Sequence, residues 1–129
     1  YAKEAAQFDY GIQRASLRDI LNGEGAKEVL EKIDKFSKER DWDQFHTPEN
    51  IAKSISIEAG ELLEHFQWDN TFDKGEVCEE LADVFSYCFQ MCLALDVDPK
   101  TIILDKLEKS AKKYPVEKAK GVSTKYTKL

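Results

Sequence analysis

The chain has 129 residues, 42% hydrophobic and 34% charged, with a mean hydropathy of −0.55, which is the scale of one domain or one protomer of an oligomer. Its net charge of −6 argues against a protein that coats a nucleic acid polymer, and no apolar run is long enough to span a bilayer. The charge is uneven: nine of the 19 basic residues are lysines from Lys100 onward, so an acidic body precedes a basic end. Such a split suits a cation at one place and anionic phosphate at another.

The pattern predicts an all-α fold, a four-helix bundle with an N-terminal arm. Residues 1–25 form the arm, with a loose apolar pattern (Phe8, Ile12, Leu17, Ile20, Leu21) closed by the breaker Asn-Gly-Glu-Gly at 22–25. Opening on Tyr1 rather than Met reads as a trimmed N-terminus, and no secretory leader is apparent. A helical catalytic domain is expected over residues 26–115. Its first helix, about 26 to 41, carries the stripe Val29, Leu30, Ile33 and Phe36. Thr47 then caps a second helix, with Pro48 in its first turn, running to about Trp68. Its stripe is Ile51, Ile55, Leu62 and Phe66, with Glu58 in the middle.

The third helix, about 76 to 95, is apolar on most of its circumference and is therefore expected at the centre. Its remaining polar line is Glu80, Asp83, Tyr87 and Gln90. Cys78, Cys88 and Cys92 lie on or beside it and read as small core residues of a reduced, cytoplasmic protein; without a neighbouring His or second cysteine pair they make a poor zinc site. Asp98 and Pro99 open a fourth helix to Lys113, with Ile102, Ile103, Leu107 and Ala111 inward. Tyr114 and Pro115 stop it, and residues 116–129 read as a mobile basic tail.

Two acid pairs stand out, Glu58 with Glu61 and Glu80 with Asp83. Each pair is spaced to share a helix face. Glu58 and Asp83 have core residues on both sides, and a buried carboxylate is costly unless something positive accompanies it. An all-oxygen site for Mg²⁺, or Mn²⁺, between two helices answers that cost; a solvated acidic surface is the competing reading, stronger for Glu61, Glu64 and Glu79. Lys106, Lys109 and Lys113 share one side of helix four, either as a phosphate clamp or as an ordinary solvated face. Trp42 and Trp68 lie at helix ends, where they either stack on a base or plug the bundle.

Three separated segments, RDWDQFHTPENIAKSISIEAGELLEHFQW, EELADVFSYCFQMCLALDVD and KLEKSAKKYPVEKAKG, resemble in order the MazG-like all-α nucleoside triphosphate pyrophosphohydrolases, in particular the small dCTP pyrophosphatase branch. The resemblance covers roughly residues 29–121. It implies Mg²⁺-dependent hydrolysis of a (d)NTP, dCTP or a modified pyrimidine triphosphate, to (d)NMP and pyrophosphate. It implies Glu58, Glu61, Glu80 and Asp83 as metal ligands, and Trp42, His46, Trp68 and Tyr87 around the nucleoside. Lys106, Lys113 and Tyr114 would meet the phosphates. Ser110 stands where the family motif has Asn, which puts that contact in question. Glu61 or Glu64 is the expected residue to orient or deprotonate the attacking water. A homodimer or homotetramer is implied as well. Two other readings stay open: a non-catalytic nucleotide- or partner-binding oligomer, and a plain helical scaffold.

Overall fold

The computed structural model describes residues 24–129; the arm's own pattern lies outside the described residues. The described chain is helical, with no strand, and falls into two compact units that divide between Asp96 and Val97. No helix among the described residues is long and apolar enough to cross a membrane.

The first unit holds α1 (Glu24–Glu39), α2 (Pro48–Glu64) and α3 (Lys74–Leu95). As its apolar circumference predicts, α3 is central, packing on both α2 and α1. The ends follow the expected capping chemistry. Thr47 Oγ accepts from the Asn50 N–H at 3.3 Å, with Pro48 in the first turn. Between α1 and α2 the chain makes a 3₁₀ turn over Asp43–Phe45, and Asn50 Nδ2 donates to the Phe45 carbonyl at 3.0 Å to fix it against α2.

Four boundaries differ from expectation, the simplest being that α1 ends at Glu39 rather than about 41. α1 begins at Glu24, inside the Asn-Gly-Glu-Gly breaker, so Gly25 sits in a first turn, where its helix penalty is smallest. α2 stops at Glu64 rather than Trp68, because the N–H groups of His65, Phe66 and Gln67 turn to carbonyls three residues back. Phe66 then meets Phe72 at 5.1 Å, closing the reversal into α3. α3 begins at Lys74 because Asp73, not singled out in the sequence, accepts from the Glu76 N–H at 2.9 Å.

Few side chains are sealed inside. Ile51 and Cys92 are the buried hydrophobic residues among those described, whereas Phe36 (49% exposed) and Phe85 (55% exposed) are half open. The buried polar residues are Ser37 and Gln90, which meet across α1 and α3, Ser37 Oγ donating to Gln90 Oε1 at 3.0 Å. All three cysteines are thiols rather than disulfides, in keeping with their reading as small apolar residues.

The second unit is α4 (Pro99–Lys113) followed by the one-turn α5 (Val116–Ala119) and a 3₁₀ turn at Tyr126–Lys128. Asp98 caps α4 through the Thr101 N–H (3.3 Å) and hydroxyl (2.8 Å). The basic tail is more ordered than its composition suggests. Tyr126 returns edge-on to Tyr114 at 5.8 Å, and Lys113 Nζ lies 4.8 Å over the Tyr126 ring, so aromatic and cation–π contacts hold it.

Candidate metal centre and nucleotide pocket

Three of the four expected ligands, Glu58, Glu61 and Glu80, converge where α2 faces α3, and Asp83 lies outside that group. One carboxylate oxygen each from Glu58, Glu61 and Glu80 lies within 4.8 Å of the others. Asp83, one turn beyond Glu80 on α3, adds its charge to the field at Glu58. Burial, then the hydrogen bond that protonated Glu58 donates to Glu61 and the charges of Glu61, Asp83 and Glu80, push the Glu58 carboxyl up to about 7. Its Oε2 is buried without a hydrogen-bond partner. An orphaned buried oxygen amid like charges would be relieved by a cation, and an all-carboxylate donor set fits a hard divalent ion such as Mg²⁺ or Mn²⁺.

That geometry fixes the sign of a pH effect. In the metal-free protein the folded Glu58 holds its proton more tightly than an unfolded Glu, whose value is 4.5. Its contribution to stability is therefore fully present below about pH 4.5 and is lost as pH rises to about 7. Cation and proton compete for the same oxygens. The rise in Tm on adding Mg²⁺ is accordingly expected to be small at pH 5.5 and to grow through pH 7 to 8. Thermal melts at fixed Mg²⁺ concentration across that range check it, and a pH-independent increment contradicts it.

A residue the sequence reading passed over joins this centre. His65 ends α2, and its Nε2 lies 3.5 Å from Glu80 Oε1, with Nδ1 3.9 Å from Glu76 Oε2. It lines an open cavity of about 360 Å³ with Glu61, Glu64 and Glu80, so the two glutamates expected to handle water share one space with the candidate ligands. Its signal in the sequence was faint, a lone His after a run of acids. A side chain that orients a metal-binding carboxylate typically changes affinity about tenfold or more when removed. His65→Leu is expected to weaken Mn²⁺ binding, followed by electron paramagnetic resonance, by that order, and His65→Gln to recover part of it.

Beside the acids lies a second cavity, of about 390 Å³, between α1, the 3₁₀ turn and α3. Trp42, His46 and Tyr87 line it, as does Asp83, which links it to the acid cluster. Phe36 meets Trp42 edge-on at 5.7 Å, and the Arg40 guanidinium lies 3.7 Å from the centroid of the Phe36 ring. His46 Nδ1 is buried and unpartnered. Trp68 does not line this cavity; it is 88% exposed at the turn after α2. Lys106, Ser110, Lys113 and Tyr114 lie together on one side and at the end of α4 in the second unit, where the Tyr114 N–H bonds the Ser110 carbonyl at 2.9 Å.

Residues 53–129 match the model of the MazG-like family. The chain belongs to the MazG-like family. Its similarity to curated relatives includes dCTP pyrophosphatase 1 of Homo sapiens, 35% identical over 105 residues, and that of Rattus norvegicus, 34% identical over 105. Those alignments cover 74% of this chain and 62% of each relative, so the chain spans under two thirds of their length. Among solved structures it resembles a pyrophosphatase from Archaeoglobus fulgidus, at 42% identity and a TM-score of 0.65, over 69% of this chain and 91% of the other. The MazG-like assignment accounts for the all-α fold, and the matched residues include Glu58, Glu61, Glu80 and Asp83.

Proposed function

We propose that this chain hydrolyses a (d)NTP, with dCTP or a modified pyrimidine triphosphate as its substrate, to (d)NMP and pyrophosphate. The observation that carries the reading is the orphaned Glu58 oxygen inside an acid cluster that adjoins an aromatic pocket through Asp83. The relatives named dCTP pyrophosphatase 1 support the choice of substrate. Glu58, Glu61, Glu80 and Asp83 would hold Mg²⁺, which when bound offsets triphosphate charge and lowers the pKa of water. Glu61 or Glu64 orients the attacking water or takes its proton. Trp42 and Tyr87 hold the base, and His46 contributes a polar contact beside them. Lys106, Lys113 and Tyr114 serve the phosphates, with Ser110 making a shorter reach than an Asn would.

The catalytic part is assigned to residues 26–115, flanked by the arm at 1–25 and the basic tail at 116–129. A homodimer or homotetramer fits the exposure of Leu63 (69%), Trp68 (88%) and Phe85 (55%), which a single chain leaves open. Trp68 is then free to complete a pocket other than its own chain's. The thiol state of the cysteines agrees with a cytoplasmic setting.

The direct test is a screen of canonical and modified triphosphates with Mg²⁺ and with chelator, separating pyrophosphate from orthophosphate. Mg²⁺-dependent pyrophosphate release, greatest with a pyrimidine, is expected; release of orthophosphate alone, or of nothing, overturns the hydrolase reading. Ser110 favours one competitor, a nucleotide-binding protein without turnover. Calorimetry with dCTP and Mg²⁺ separates the two, since binding without cleavage is its signature.

A further inference from the structure

We propose that Gln90, oriented by Ser37, is the residue that reads the base, presenting an amide N–H donor to an acceptor on a cytosine ring. The inference deepens the pyrophosphohydrolase reading above and rests on it for the identity of the pocket's occupant.

Ser37 and Gln90 are 3% and 6% exposed in a chain that leaves phenylalanines half open. Burying two polar side chains where apolar ones would pack at no desolvation cost calls for a reason. Both line the cavity of Trp42, His46 and Tyr87. Ser37 Oγ donates to Gln90 Oε1, so the oxygen half of the amide is already engaged. The NH₂ half carries two donors and meets no acceptor among the described residues, yet it is not sealed away from the cavity. An oriented donor open to an aromatic slot is the arrangement that selects a ligand by its acceptors.

The helix register supplies the distance. Asp83, Tyr87 and Gln90 follow one line of α3, and Gln90 stands seven residues beyond Asp83, about 10 Å along the axis. A nucleotide whose phosphates meet the acid end therefore brings its base past Tyr87 to Gln90. Cytosine offers two neighbouring acceptors, ring N3 and O2. Thymine and uracil place an N–H donor at N3, which would face another donor. A pocket built to hydrogen-bond one edge penalises the wrong edge strongly, because its own polar group is left unpaired.

The test is kcat/KM for dCTP, dTTP, dATP and dGTP with Mg²⁺, together with calorimetric binding of the matching monophosphates. Gln90→Leu is expected to raise KM for dCTP about tenfold or more and to flatten the ranking among bases, with kcat little changed. Ser37→Ala, a milder change that lets the amide turn, is expected to lower discrimination in the same direction. The pair Ser37→Ala/Gln90→Leu removes both polar groups and keeps a packed wall, so a flattened ranking in this variant cannot come from an orphaned serine. Retention of the wild-type ranking in all three variants overturns the proposal. If the wild-type protein binds monophosphates with a cytosine preference that Gln90→Leu abolishes, yet cleaves no triphosphate, base reading stands and the hydrolase reading falls. If no nucleotide binds, both fall.

Discussion

Glu58→Gln is expected to reduce Mg²⁺-dependent pyrophosphate release by roughly 10²–10³-fold while leaving the helical signal intact. The substitution keeps the shape of the side chain and removes its charge. The other members of the cluster, Glu61 and Glu80, remain in place, but they lose the ligand whose Oε2 has no other partner. The same change relieves like-charge crowding, because Glu58 is held up to about 7 by burial and by Glu61, Asp83 and Glu80. The metal-free variant is therefore expected to melt higher than the metal-free wild type at pH 8, where the wild-type carboxylate is ionised, and to differ little at pH 4.5, where it is not. Loss of activity coupled to gain of stability is the signature of a site that stores repulsion for a cation. Unchanged turnover in Glu58→Gln sinks the assigned role; lost turnover with a lower metal-free melting temperature at pH 8 points to a structural glutamate instead.

Much of that centre was legible because it broke a pattern. Glu58 interrupts the stripe of Ile51, Ile55, Leu62 and Phe66, and the helical period alone carries that message. Gln90 stood on the polar line of α3 for the same reason, although nothing in the sequence pairs it with Ser37. That contact spans 53 positions and exists only once α1 lies on α3. His65 was missed because its meaning depends on the register between α2 and α3, which sets its Nε2 near Glu80. Trp68 and Trp42 look alike in sequence, each at a helix end. They part in the structure because α2 unwinds at His65, and the Phe66–Phe72 contact turns the following residues toward the start of α3. Caps were readable where Pro followed them, at Thr47 and Asp98, and not at Asp73, where Lys74 gives no comparable signal.

The apolar surface leads to the other large effect, expected for Phe85→Glu. Phe85 is 55% exposed, and Leu81, one turn before it on the same side of α3, is 38% exposed. Among the described residues only Ile51 and Cys92 are buried hydrophobics, which is a thin core against the ordering cost of about 1–2 kcal/mol per residue. Covering the open faces of α3 with a second copy would add roughly 1.5–3 kcal/mol for each large side chain withdrawn from water, and twofold symmetry would count each contact twice. A carboxylate at position 85 would be buried without a partner in such an interface. The variant is expected to run at the 14.8 kDa monomer mass by light scattering, to melt well below the wild type, and to lose activity with its assembly. Phe85→Ala, which removes area without adding charge, is expected to keep the assembled form at high protein concentration and shed it on dilution, with a Tm that follows concentration. A wild-type protein that is monomeric at micromolar concentration, with a Tm independent of dilution, would show that the exposed face of α3 has no second copy to cover it.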